Sequence, residues 1–174
     1  MVRKSTLIFC LFTLFSVQAQ KANINADLLH YCSSLSSEFN QIPSDRKEYL
    51  NELVSYIDEQ QKAQKAINLV FVCTSNSRRS HMAQVWSQIA SYYYEVKKVS
   101  TFSGGTEKTK VNKNALLALE KTGIVLQSHQ QSENPVWLAS TGVNFTPMVL
   151  FSKVYTDSTN PSQNFGAVMV CAEA

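Results

Sequence analysis

Cys73, Arg79 six residues later and Ser80 directly after it are the residues whose types and spacing carry the most chemistry in this chain. They stand in the run Cys73-Thr74-Ser75-Asn76-Ser77-Arg78-Arg79-Ser80, a polar turn between an apolar run and a helical pattern. A tight loop that opens a helix points several backbone N–H groups into one concavity, which suits a tetrahedral oxyanion. As the loop wraps, the Arg79 guanidinium can meet two oxygens of the same anion. Oxyanion binding is therefore expected from Thr74, Ser75, Asn76, Ser77, Arg78 and Arg79. The same N–H groups and positive charge favour a thiolate on Cys73, and the Ser80 hydroxyl can donate to its sulfur. A thiolate beneath a bound oxyanion is placed for in-line attack on the central atom. Cys73, Arg79 and Ser80 are the expected catalytic residues.

The elements that must position this loop can be read on either side of it. Residues 67–72 (INLVFV) are a continuous β-branched and aromatic run, the pattern of a strand covered on both faces. Residues 80–94 then read as a helix with Met82, Val85, Trp86 and Ile89 inward. Residues 99–102 read as a second strand ended by Gly104-Gly105, and residues 112–122 as a helix stopped by Gly123. Such alternation argues for a parallel sheet with helices on its faces. Residues 136–139 and 148–151 read as an inserted β-hairpin, within about 134–152, and residues 165–171 as a third central strand. Upstream, residues 27–39 and 46–64 have helical periodicity and are expected to pack as a hairpin, a helical extension over 20–65 before an α/β domain over 66–174.

The loop, the strand before it and the helix after it resemble the low-molecular-weight protein-tyrosine-phosphatase superfamily, whose loop runs C-x-G-N-x-C-R-S. That superfamily includes the thioredoxin-coupled arsenate reductases. The resemblance covers about residues 67–174 and extends to Ser103-Gly104-Gly105. It implies a parallel sheet of order 2-1-3-4, with the fourth strand missing from this chain. It also implies that Cys73 is the nucleophile, Arg79 the oxyanion-binding arginine and Ser80 the hydroxyl supporting the thiolate. Asn76 then braces the loop from a left-handed backbone, which Asn tolerates. Two positions depart from the pattern: Ser75 stands where Gly is usual, and Arg78 replaces a common second cysteine.

Both enzymatic branches use a thiolate in an oxyanion nest, so the loop does not separate them. In the family a fourth strand, an Asp-Pro loop carrying a general acid, and a final helix follow the third strand. Cys171 falls where the reductases keep a relay cysteine and where many phosphatases also have one; relay residue and core cysteine both stay open. The expectation is a phosphate-monoester hydrolase acting through a phosphocysteine, impaired by loss of the acid loop. Arsenate reduction through Cys73 and Cys171 is the alternative, and a non-catalytic oxyanion-binding domain is a third. His81 reads as a helix-surface residue, and Asp157 as a turn aspartate rather than a substitute acid.

The N-terminus bears on the compartment. Arg3 and Lys4 precede an apolar run over residues 7–17, too short to cross a bilayer of about 30 Å as a helix. With Val17-Gln18-Ala19 after it, this describes a signal peptide over 1–19 and an exported, periplasmic or secreted protein. Removing that segment leaves 14 basic residues against 13 acidic, which argues against nucleic acid and against anionic membrane surfaces as partners. The expected partner is a phosphate-ester or arsenate substrate, with a thiol reductant only for the reductase reading. Export favours hydrolysis, because reduced dithiols are scarce outside the cytoplasm. With no C-x-x-C spacing and no His cluster, neither a metal nor another cofactor is expected.

Overall fold

The computed structural model describes residues 21–129 and 131–172, so the leader-like segment lies outside the described residues. Two short sheets share the structure. The first is parallel, with order β2-β1-β6, built from β1 (Ile67–Cys73), β2 (Val99–Gly105) and β6 (Gly166–Met169). Its register sets Cys73 opposite Gly105, and Val72 between Gly104 and Met169. The expected α/β class and the first three places of the 2-1-3 order are present.

The β-branched run makes β1 the central strand, buried over all but Asn68. Ile67, Leu69 and Phe71 alternate along it and cluster with Leu53, Tyr56 and Ile57 of α2 (Ser44–Lys62) and Ala83 of α3 (Arg79–Tyr93). A larger core joins Leu28 and Cys32 of α1 (Ala26–Ser36) to Val85 and Ile89 of α3 and Leu119 of α4 (Lys113–Glu120). The two N-terminal helices thus enter separate cores, in place of the expected mutual hairpin. The physical reason is in α2: its apolar residues Tyr49, Leu50 and Val54 are exposed, and the Leu53-Tyr56-Ile57 edge finds the sheet.

The second sheet is antiparallel, with order β3-β4-β5: β3 (Val125–Ser128), β4 (Trp137–Ser140) and β5 (Met148–Leu150). Strand β3 has no counterpart in the sequence reading, because Gly123 stops α4 and Gln127-Ser128 look like the start of a loop. At the far edge of the parallel sheet β6 alternates half-buried and exposed residues, with Met169 56% exposed, so it is an edge strand among the described residues. No described helix is long and apolar enough to cross a membrane.

Strand β2 runs through both glycines rather than ending before them. A side chain at Gly105 would put its Cβ 2.6 Å from the carbonyl oxygens of Thr74 and Glu107 and 2.7 Å from the Asn76 nitrogen. Glycine there lets β2 press against the loop after β1. Gly104 meets the backbone of Tyr155 in the same way. Residues 153–155 then run beside the end of β2, with Gly105 N–H donating to the Lys153 carbonyl and Tyr155 N–H to the Gly105 carbonyl, both at 2.9 Å.

Candidate functional site: a thiol in a backbone N–H nest

Cys73 ends β1 and Arg79 begins α3, so five residues make the turn between them. A turn that tight needs one residue in a left-handed conformation, and Asn76 takes it with φ +39°. Ser75, at the position where glycine is usual in the resembling loop, does not have a positive φ. Its side chain instead donates to Glu107 Oε1 at 2.7 Å, so glycine is not required there. Asn76 is fully buried and its side chain is spent on bracing: Nδ2 donates to Ser80 Oγ at 2.8 Å, and Oδ1 accepts from Lys153 N–H at 2.8 Å.

Those bonds orient the next hydroxyl. Ser80 Oγ accepts from Asn76 and lies 3.1 Å from Cys73 Sγ, so its hydroxyl donates to the sulfur when the thiol is ionised. Burial pushes the Cys73 thiol up, but the Ser80 hydroxyl and the backbone N–H groups of Ser80, Ser77 and Asn76 outweigh it and hold the thiol below its ordinary value. Cys32 is the contrast: burial raises its thiol, and the charge of Lys21 only partly offsets it. The nest therefore supplies the thiolate stabilisation that a nucleophile requires.

Cys73 opens into a cavity of about 260 Å³ lined also by Ser75, Ser77, Arg78, Arg79, Thr109 and Asn112. Both arginines are exposed and reach the same cavity. Thr74 and Asn76 do not line it. The Thr74 hydroxyl instead lies 3.6 Å from Cys171 Sγ, so Cys171 meets the residue that follows Cys73.

Residues without an assigned role in the sequence hold the loop from outside. Ser152, fully buried, donates to the Ser75 carbonyl at 3.2 Å and accepts from Thr109 N–H at 2.8 Å. Asn134 clasps Ser152 through both of its backbone groups, at 2.8 and 3.0 Å. Lys153 is 4% exposed, with its ammonium 4.3 Å from the Phe151 ring centroid; burial lowers its pKa to about 8, against the opposing pull of Asp157. The only sequence hint of this clamp is a Ser-Lys pair directly after an apolar strand.

His81 is a correction. It is fully buried, not on the helix surface: Nε2 donates to the Asn76 carbonyl at 3.0 Å and the Ser103 hydroxyl donates to Nδ1 at 3.1 Å. Burial, with the charge of Lys153 acting the same way, lowers its pKa to about 4, so the ring is neutral at pH 7. Asp157 is a turn residue, as its sequence context suggested. Its carboxylate accepts from the Thr159 N–H and hydroxyl, and these bonds hold its pKa below the usual carboxylate value.

Fold and loop together place a thiol among backbone N–H groups at the C-terminal ends of the parallel strands, the place where such sheets put their ligands. The chain is similar to "Arsenate reductase 2" of Staphylococcus haemolyticus (strain JCSC1435), with 33% identity over 92 residues that cover 47% of this chain. The match spans 66% of that protein's length, a little under two thirds. This is distant homology to an arsenate reductase, a protein of the superfamily that the loop motif resembles. No family model matches the chain.

Proposed function

We propose that this chain is a cysteine-dependent phosphate-monoester hydrolase. The observation that supports it is the 3.1 Å approach of the Ser80 hydroxyl to Cys73 Sγ within N–H groups that lower the thiol pKa. The Cys73 thiolate attacks phosphorus, an S–P bond forms and the P–O bond to the leaving group breaks. The expelled alkoxide or phenolate takes a proton from water. A second water then cleaves the S–P bond and returns inorganic phosphate and the thiolate. Arg79 and the N–H groups of the loop carry the charge of the equatorial oxygens.

One observation favours a second reading. Cys171 lies beside Thr74, and the similar protein is named an arsenate reductase. In that reading Cys73 displaces hydroxide from arsenate, and Cys171 attacks the Cys73 sulfur. An S–S bond forms, the S–As electron pair goes to arsenic, and arsenite leaves. An external dithiol then reduces the disulfide. Export belongs to the first reading and rests on the leader-like N-terminus alone.

The test is direct. Hydrolysis of nitrophenyl phosphate that vanishes in Cys73→Ser and survives Cys171→Ser supports the first reading. Consumption of dithiol with arsenate that depends on Cys171 supports the second. Anion binding without either reaction contradicts both.

A further inference from the structure

A second cavity, of about 270 Å³, lies between α3, β2 and β5 and shares no lining residue with the cavity at Cys73. Its walls are largely apolar: Phe102 of β2, Met148 and Val149 of β5, and Phe151. Two longer polar side chains also line it, Lys153 and Gln84, and each is only 4% exposed. Gln84 Oε1 is buried without a hydrogen-bond partner among the described residues. The Lys153 ammonium meets the Phe151 ring, 4.3 Å from its centroid, and among the described residues it makes no hydrogen bond or ion pair.

The groups around Lys153 leave its charge only partly answered. Asp157 attracts it, but that carboxylate is taken by the Thr159 N–H and hydroxyl. His81, the other titratable group near it, is neutral at pH 7. A buried ammonium and a buried amide oxygen each cost free energy while they lack partners. A ligand recovers both costs if it brings an anion to Lys153 and a donor to Gln84 Oε1. The walls add a third requirement. Phe102, Met148, Val149 and Phe151 offer no side-chain donors to the remaining oxygens of a phosphate or sulfate, but they cover an apolar body. A cavity of about 150 Å³ holds benzene, so this one has room for a ring with a carboxylate and a hydroxyl.

We propose that this cavity binds a small monocarboxylic acid with an apolar body and one hydroxyl. The carboxylate pairs with Lys153, the hydroxyl donates to Gln84 Oε1, and the body packs among Phe102, Met148, Val149 and Phe151. The site does not depend on what the Cys73 loop does, since the two cavities have separate linings.

The experiment is isothermal titration calorimetry of the full chain at pH 7 with three probes of one shape. Mandelate carries both polar groups, phenylacetate lacks the hydroxyl, and methyl mandelate lacks the charge. Mandelate is expected to bind about tenfold tighter than either of the others, because each leaves one buried group unanswered. In Lys153→Met the advantage over methyl mandelate should disappear, and in Gln84→Leu the advantage over phenylacetate should. Val149 is 45% exposed, so Val149→Asp adds a carboxylate at the wall and leaves both buried groups in place. It should weaken mandelate about tenfold, and circular dichroism reports whether each variant is folded. Inorganic phosphate should not displace mandelate. No binding of mandelate, equal binding of the three probes, displacement by phosphate, or affinity unchanged in folded Lys153→Met or Val149→Asp overturns the proposal.

Discussion

The backbone N–H of Lys153 donates to Asn76 Oδ1 at 2.8 Å, across 77 residues of chain. The bond ties the segment after β5 to the one left-handed residue of the thiol loop. Asn76 passes the constraint on through Nδ2 to Ser80, and Ser80 passes it to Cys73. Three side chains in series thus link a distant backbone position to the placement of the hydroxyl beside the thiol.

Asn76→Ala breaks that series at its centre. It leaves the Lys153 N–H and one side of Ser80 without their partner and puts a Cβ-only residue at φ +39°. A buried donor left unsatisfied costs about 1–3 kcal/mol, and the left-handed backbone adds roughly 1. Denaturant titration should show a loss of that size, and the Cys73 thiol should titrate at higher pH than in the wild type. Asn76→Gly relieves only the backbone strain, so it should recover part of the stability and none of the thiol effect.

His81 makes the loop sensitive to acid. Its folded pKa of about 4 lies below the ordinary 6.5 of an unfolded histidine. Between those values the unfolded state binds the extra proton, so folded stability is present above pH 6.5 and is lost as pH falls toward 4. Each unit of difference is worth ~1.4 kcal/mol, so the total is a few kcal/mol. Lys153 and the Ser103 hydroxyl are the polar groups facing the ring besides the Asn76 carbonyl. Chemical denaturation at pH 7, 5.5 and 4.5 should show this slope in the wild type and a shallower one in His81→Gln. Parallel profiles would contradict the assignment.

Lys153 acts in the opposite pH range. Its folded pKa of about 8 lies below the ordinary 10.5. The burden of burying the ammonium is full below pH 8 and is relieved as pH rises toward 10.5, so stability should increase across that window. Lys153→Met should abolish the increase. Because Met keeps the backbone N–H on Asn76, the thiol loop should survive the change.

How much of this was legible in the sequence follows from chemistry that is local. Strand β1 showed itself through a run of β-branched residues, and the loop through Cys73, Arg79 and Ser80 at fixed spacing. The buried polar face of α3 did not show itself. His81 read as a helix-surface residue, yet Ser80, His81, Gln84, Gln88 and Ser91 are all buried, in part because Thr101 and Ser103 of β2 offer hydroxyls to this face. The clamp from Asn134, Ser152 and Lys153 was equally hidden, since its partners lie 18 to 77 residues apart. Hydrophobic periodicity carries no information about pairings of that kind.

Gly105 offers a steric test of the contact between β2 and the loop. In Gly105→Ala the new Cβ meets backbone atoms of Thr74, Glu107 and Asn76 at 2.6 to 2.7 Å, and none of these is a flexible chain end. Overpacking of this type costs about 1–3 kcal/mol. The loop must shift, so oxyanion protection of Cys73 should weaken several-fold even where the protein stays folded. Unchanged protection would show that the loop does not depend on this contact.

Proton delivery to the leaving group is open to test through Asp157. Its carboxylate is held ionised by its bonds to Thr159, so it is a poor proton donor. Asp157→Asn, which can keep the same turn, should leave hydrolysis rates within about twofold. Lack of a positioned acid typically costs ~10²–10⁴ in rate, most for basic leaving groups. A plot of rate against leaving-group pKa should therefore fall steeply, with the same slope in Asp157→Asn. A flat plot that steepens in the variant would make Asp157 the acid.

The central claim is that Cys73 is a thiolate inside an oxyanion nest, and its most direct test is alkylation of the folded chain by iodoacetamide as a function of pH. Cys73 should react at lower pH than Cys32, whose thiol burial raises, and phosphate or arsenate should protect Cys73 alone. Ser80→Ala should move the Cys73 profile toward higher pH, and denatured protein should show no protection. Equal reactivity of Cys32, Cys73 and Cys171 at pH 6, indifferent to either oxyanion, would contradict the account.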